Sequence, residues 1–319
     1  MRAIAVPDIG GTPGPADVPV PSPGPEEILI RLTAASLNPI DLDIAQGGLP
    51  LPTTRPLVLG VDGAGQVVEV GAAVRGFAPG DLVHGQFLDA PLGRGTFAEF
   101  AVLAQSPSHG ALLHTPDALS ADVAAALPTA GMTALGVMET LDEAVNLGAG
   151  RSILIVGATG GVGVFAVQLA AARGAEVIAT ARADADAWIR DLGASQTIDY
   201  RRDDVAELVR KSHPDGVDAL LDLTRDQPRF TAYSTLVRDG GSAISATFTA
   251  SPELLASERI AVTNFMMRDK PALLARITDE AASGRITVPI ERTIAFEEIP
   301  EALARNAVGG ARGKTVARI

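Results

Sequence analysis

The segment 152–182 constrains this chain more than any other. It opens on Ile153-Leu154-Ile155-Val156, an apolar run too short for a globular helix and rich in β-branched residues, which predicts a buried strand. Gly157-Ala158-Thr159-Gly160-Gly161-Val162-Gly163 follows directly, and residues 164–172 then read as a helix closed by Gly174. This order suits a phosphate cradle. Gly160 and Gly161 permit a tight turn and let a pyrophosphate approach the main chain around Val162, while Gly163 lets the helix pack close to the strand. The unpaired N–H groups and positive pole of the helix then face the phosphates. The alternative is a glycine-rich turn in some other parallel sheet. A membrane span of similar apolar content is disfavoured by the four glycines and by the βα alternation that follows.

A second strand, Glu176-Val177-Ile178-Ala179-Thr180, comes at the distance where a dinucleotide fold presents the adenosine ribose. A site for NAD would place Asp or Glu at its end to accept from the ribose hydroxyls. Here the chain reads Thr180-Ala181-Arg182. A hydroxyl and a guanidinium suit a 2'-phosphate, so the expected cofactor is NADPH.

With 319 residues, about two domains are expected. The net charge of −12 and pI of about 4.8, with no basic block to offset them, argue against nucleic acid and anionic membranes as partners. The chain has no cysteine, which excludes disulfides, thiol catalysis and cysteine-based metal sites. His84, His109, His114 and His213 are scattered and read as surface or loop residues, so no metal site is expected. The start Met1-Arg2-Ala3-Ile4 runs into Pro and Gly without an apolar signal core, giving a cytoplasmic expectation.

Residues 1–120 read as β-rich, with strands at 28–32, 67–70, 81–84 and 97–102, and with 13–25 as a proline-heavy surface loop. From Ser120 the periodicity becomes helical, broken at Pro128. Alternating strands and helices then run through 121–265, which predicts a doubly wound parallel sheet, and 266–319 returns to complete the first domain. Gly309-Gly310-Ala311-Arg312-Gly313-Lys314-Thr315 is one residue short of a P-loop, with no room for a following helix.

Several motifs occur in a recognisable order: Leu37-Asn38-Pro39-Ile40-Asp41 with Gln46-Gly47, Leu59-Gly60-Val61-Asp62-Gly63-Ala64-Gly65, Gly80-Asp81-Leu82-Val83, Leu127-Pro128-Thr129-Ala130-Gly131-Met132-Thr133-Ala134, the glycine turn, Leu192-Gly193-Ala194 with Asp199-Tyr200, and Gly313-Lys314. Over almost its whole length the chain resembles the medium-chain dehydrogenase/reductase superfamily, in its zinc-independent quinone oxidoreductase-like branch. The resemblance implies an α/β chain made of a GroES-like β-rich catalytic domain and a Rossmann NADPH-binding domain. Zinc alcohol dehydrogenases of the superfamily carry cysteine where this chain has Asn38 and a His-Glu pair where it has Val61-Asp62, so no zinc is implied.

By the same resemblance Asn38 lies beside the nicotinamide ribose and the substrate, as the catalytic candidate, and Thr133 bonds the cofactor near its nicotinamide end. Gly160, Gly161, Val162 and Gly163 hold the pyrophosphate. Thr180, Arg182 and Tyr200 surround the 2'-phosphate, and Thr247-Phe248 and Asn264-Phe265 face the carboxamide. A turn residue before proline is the other reading of Asn38, and core packing that of Tyr200. The implied reaction is hydride transfer to a quinone or conjugated carbonyl in a cleft between the domains, with Asn38 or backbone N–H groups stabilising the oxygen. Two rivals stand beside it: a reductase of enones or 2-enoyl thioesters, and an NADPH-binding protein with little turnover. Tyrosine-dependent enoyl reductases carry Tyr shortly after the Gln-Gly turn, where this chain has Gly48-Leu49-Pro50. A homodimer joined along an edge strand of the nucleotide sheet is also implied.

Overall fold

Six parallel strands lie in the order Gln196–Ile198, Glu176–Thr180, Ser152–Val156, Val217–Asp222, Val237–Ser245, Ala261–Asn264. Ser152–Val156 and Val217–Asp222 are buried at every position, because both faces of the sheet are covered by helices. The sequence order 3-2-1-4-5-6 is that of a doubly wound dinucleotide fold, whose ligands bind at the carboxyl ends of the strands where the order reverses. That reversal falls on Ser152–Val156, the strand that feeds the glycine turn.

The computed structural model describes all residues from Met1 to Ile319. Their contacts divide the chain into a first unit, Met1–Met132 with Asp269–Ile319, and a second unit, Thr133–Arg268, which holds the parallel sheet.

Two sheets build the first unit. The larger is centred on Glu27–Ser36, which pairs antiparallel with Asp62–Val70, Phe100–Ala104 and the C-terminal strand Lys314–Arg318. Leu82–Gln86 and Ala111–His114 extend it on one side and Ile290–Ala295 on the other. The smaller sheet runs Gly14–Asp17, Arg2–Val6, Thr53–Val58, Leu92–Arg94. Their core includes Ile4, Leu57, Leu59, Phe97, Ile299 and Leu303, and separately Ile28, Ile30, Val67, Val83 and Leu103.

Several expectations change. The segment 13–25 is not all loop: Gly14–Asp17 pairs with Arg2–Val6. It is a four-residue edge strand, where Pro15 is tolerated because it need not donate inward. Thr53–Val58 and Leu92–Arg94 likewise lie in stretches that carry no strand signal of their own. The break expected at Pro128 is present, as a division between two helices. Pro128 sits at the first position of Pro128–Val145, where its missing N–H costs nothing, after a separate helix Ala121–Ala126 capped by Ser120. Ala124, Ala125 and Ala126 pack on Ala34, Ala64 and Val316, so this helix belongs to the first unit, past the boundary expected at residue 120. No helix is long and apolar enough to cross a membrane.

Candidate active site

In the second unit the glycine turn follows Val156 and leads into helix Gly163–Ala172. Gly157 has φ +83, a conformation that favours glycine, and its N–H donates to Thr180 Oγ1 at 3.1 Å, tying the turn to the next strand. A Cβ on Gly163 would stand 2.4 Å from the Gly157 carbonyl oxygen and 2.6 Å from Ala158. Only glycine fits there. On Gly160 a Cβ would meet nothing nearer than the Gly157 oxygen at 3.4 Å, so the absence of a side chain there is not required by packing and leaves the main chain open. The helix start carries no side-chain cap, which leaves the N–H groups that precede Val164, itself donating to the Gly160 carbonyl, for a ligand. These features fit a pyrophosphate around Gly160, Gly161, Val162 and Gly163.

Of the remaining residues expected near the cofactor in this unit, all but Thr133 lie at or just past the carboxyl ends of strands of the same sheet. Thr180 is buried and its hydroxyl accepts from Gly157, so it shapes the turn. Arg182 follows it with one-third of its side chain exposed and a 3.8 Å contact to Asp184. Tyr200 is 43% exposed, which removes core packing as its role. Asp199, the nearest carboxylate in sequence, accepts from the Ala183 and Arg201 N–H groups. Phe248 is 58% exposed and adopts φ +62, an uncommon conformation for an aromatic residue. Its neighbour Thr247 donates to the Thr224 carbonyl. Asn264 clamps this loop by accepting from the Ala250 N–H at 3.0 Å and donating to its carbonyl at 3.1 Å, and Phe265 is buried behind it. Thr133 lies half-buried near the start of helix Pro128–Val145.

Sequence reasoning missed Asp222 at the end of the central strand Val217–Asp222. Its Oδ1 accepts from the N–H and hydroxyl of Thr224, while its buried Oδ2 has no partner, and burial pushes its carboxyl up.

The first unit holds a buried polar network centred on Asn38 and Asp62. Asn38 is 3% exposed, and its Nδ2 donates to the Ser36 carbonyl at 3.2 Å and to Asp62 Oδ2 at 2.9 Å, while its Oδ1 accepts from Lys314 Nζ. Both amide hydrogens are therefore engaged within the fold, where the sequence expectation has this residue bonding a substrate oxygen. Asp62 also accepts from the Thr129 N–H and, at 2.7 Å, from the Thr129 hydroxyl. Asp41 Oδ2 accepts from the Asn38 N–H at 2.7 Å, while its Oδ1 has no partner. Burial raises Asp41 to about 8, helped by the Asp62 charge, so it carries a proton at neutral pH. Burial also raises Asp62 and lowers Lys314, each shift opposed by the charge of the other.

From Thr129 the network continues outward: Gln86 Nε2 donates to Thr129 Oγ1 at 2.7 Å, and Lys270 Nζ donates to Gln86 Oε1 at 2.8 Å. Asp41, Thr129 and Lys314 fall inside motifs of the resemblance, but no local pattern marks Gln86 or Lys270, and the group meets only through long-range pairing such as Asp62 opposite Gln86. His84 is no surface residue. It is fully buried, with Nε2 2.9 Å from Thr278 Oγ1 and Nδ1 3.2 Å from Thr115 Oγ1, and burial lowers it to about 4.

Two family models match: an alcohol dehydrogenase GroES-like domain over residues 24–116 and a zinc-binding dehydrogenase domain over 192–316. The bovine mitochondrial NAD(P)H oxidoreductase RTN4IP1 is 31% identical over 92% of this chain and 82% of its own length. A chloroplast envelope quinone oxidoreductase homolog of Arabidopsis thaliana is 31% identical over 94% of this chain and 92% of its own. The chain belongs to the medium-chain dehydrogenase/reductase superfamily, in its quinone oxidoreductase-like branch. A solved quinone oxidoreductase of Pseudomonas syringae superposes with TM-score 0.86 at 28% identity, over 100% of this chain and 99% of that one. The GroES-like and Rossmann architecture expected from the motifs is thus the observed one, and this family member is an oxidoreductase.

Proposed function

We propose that this oxidoreductase uses NADPH to transfer hydride to a quinone or another conjugated carbonyl, without zinc. The observation that carries the cofactor choice is Arg182, two residues past the end of the strand that anchors the glycine turn, with Asp199 engaged by backbone N–H groups. A guanidinium binds a 2'-phosphate by charge-assisted hydrogen bonds and offers no acceptor to a ribose diol. When bound, the cofactor supplies the hydride, and the chain supplies its binding and orientation.

The zinc-free reading rests on the donor set. The chain has no cysteine, and Asp62 is surrounded by Asn38 and Thr129 donors with the Lys314 ammonium 3.9 Å away. An ammonium at that point opposes a divalent cation, so these residues do not fit a zinc ion. Asn38 enters as a positioning residue that links Lys314 to Asp62. A homodimer along an edge of the parallel sheet completes the proposal, with Ala261–Asn264 the longer of its two edge strands.

Stopped-flow oxidation of NADPH with a panel of quinones and a panel of small enones tests the reaction. Turnover of either panel supports the reading, with preference between them naming the acceptor. Binding of NADPH with no oxidation by any acceptor would identify a binding protein instead.

A further inference from the structure

A dinucleotide fold that takes NAD carries an acid at the end of its second strand, where it accepts from the ribose hydroxyls and repels a 2'-phosphate. This chain has Arg182 just past that point and an acid one strand further on, Asp199, directly after Gln196–Ile198. The main chain engages its carboxylate. Oδ2 accepts from the Ala183 N–H and Oδ1 from the Arg201 N–H, both at 3.1 Å, and the side chain is 13% exposed. The Arg201 N–H above all holds the carboxyl below its usual range, so Asp199 is ionised at neutral pH.

These bonds join two turns of the second unit. Glu176–Thr180 and Gln196–Ile198 are parallel neighbours with Thr180 opposite Ile198, and the Ala181 N–H donates to the Ile198 carbonyl at 3.0 Å. Arg182 and Tyr200 therefore leave adjacent strands side by side, at a strand spacing of about 5 Å. The Arg202 and Asp203 N–H groups, each 2.9 Å from the Asp199 carbonyl oxygen, fold 199–203 into a tight turn, and the Asp199 carboxylate ties that turn back to Ala183. Arg182, Arg201 and Arg202 are thus gathered at one corner of the carboxyl edge, in a chain of net charge −12.

The three guanidiniums are not equivalent. Arg202 Nε lies 3.7 Å from Asp199 Oδ2, which pairs it with that carboxylate. Arg182 is 3.8 Å from Asp184 across partly exposed surface, a contact weak enough for a phosphate to displace. Arg201 is exposed and holds no ion pair. A 2'-phosphate brings about two negative charges and three acceptor oxygens, more than one guanidinium meets.

Resting on the NADPH reading above, we propose that Arg201 is a second ligand for the 2'-phosphate and that Asp199 is the positioning residue that sets it beside Arg182. An acid beside the adenosine ribose then favours the phosphorylated cofactor, the reverse of its usual effect, because it binds the protein's own N–H groups and draws cations around itself.

Adenosine 2',5'-bisphosphate and adenosine 5'-monophosphate differ only by the 2'-phosphate, so titrating both into the chain isolates that group. Wild type is expected to bind the bisphosphate more tightly. Arg201→Ala should weaken the bisphosphate by about tenfold with the monophosphate unchanged, and Arg201→Lys should recover part of the loss. Asp199→Ala should also weaken the bisphosphate selectively, and should cost less in the Arg201→Ala background than in wild type, since it acts through Arg201. Thermal midpoints are recorded alongside. An Arg201→Ala chain with wild-type affinity for the bisphosphate overturns the second ligand. An Asp199→Ala chain that weakens both probes equally, or by the same factor with and without Arg201, overturns the positioning role. Either result leaves the NADPH reading standing if Arg182→Ala still loses the bisphosphate selectively. A wild type that does not distinguish the two probes overturns both readings.

Discussion

Lys314 Nζ lies 3.9 Å from Asp62 Oδ2, with 2% and 0% of the two side chains exposed. They come from opposite ends of the chain and meet because the C-terminal strand Lys314–Arg318 and the strand that begins at Asp62 both pair with Glu27–Ser36. Lys314 also donates to the Leu37 carbonyl at 3.1 Å and to Asn38, so the last strand is fixed to the first unit by charge as well as by its ladder. Removing one partner leaves the other charge buried and uncompensated. Lys314→Met is expected to destabilise the first unit by about 3–5 kcal/mol, and the double variant Asp62→Leu/Lys314→Met by less than Lys314→Met alone. Chemical unfolding of the variants followed by far-UV circular dichroism, which reads the strands of the first unit, checks this.

Asp41 makes stability depend on pH in one direction. Its folded pKa of about 8 exceeds the ordinary 3.8, so between those values the folded state binds a proton that the unfolded state has lost. This contribution is complete below pH 3.8 and disappears as pH rises through about 8. Asp41→Asn should flatten that part of the profile in thermal unfolding from pH 5 to about 9.

His84 acts with the opposite sign. Its folded value of about 4 lies below the ordinary 6.5, so its contribution is present above pH 6.5 and is lost as pH falls through 4. At about 1.4 kcal/mol per pH unit the loss is about 3 kcal/mol. His84→Gln should remove most of it, as read from acid unfolding midpoints.

Two glycines of the turn separate folding from binding. Gly163→Ala puts a Cβ 2.4 Å from a backbone oxygen and is expected to cost about 1–3 kcal/mol of stability along with cofactor affinity. Gly160→Ala meets only an oxygen at 3.4 Å, so its thermal midpoint should stay near that of wild type while NADPH affinity falls about tenfold or more. Calorimetric unfolding and fluorescence titration of the pair give both readouts.

The parallel sheet was legible because each strand is bounded by a glycine turn or a capped helix, so local pattern and final structure coincide. The strands Ser152–Val156 and Glu176–Thr180 fall where the sequence puts them. The small sheet of the first unit was not legible, since Gly14–Asp17 and Leu92–Arg94 are strands only by virtue of the partners beside them. The same distinction divides the candidate site. Gly157 to Gly163 announce themselves locally, whereas the series from Lys270 to Asp62 joins four separate segments and no spacing rule reports it. One signal was nonetheless present. A chain with 26 basic residues and three lysines marks Lys270 and Lys314 as exceptions.

Titration calorimetry of NADPH and NADH into the wild-type chain and Arg182→Ala tests most directly whether the glycine turn and Arg182 form an NADPH site. Wild type is expected to bind one NADPH per chain, more tightly than NADH, and Arg182→Ala to weaken NADPH by about 10–100-fold with little change for NADH. No heat with either nucleotide, or equal losses for both in Arg182→Ala, would contradict it.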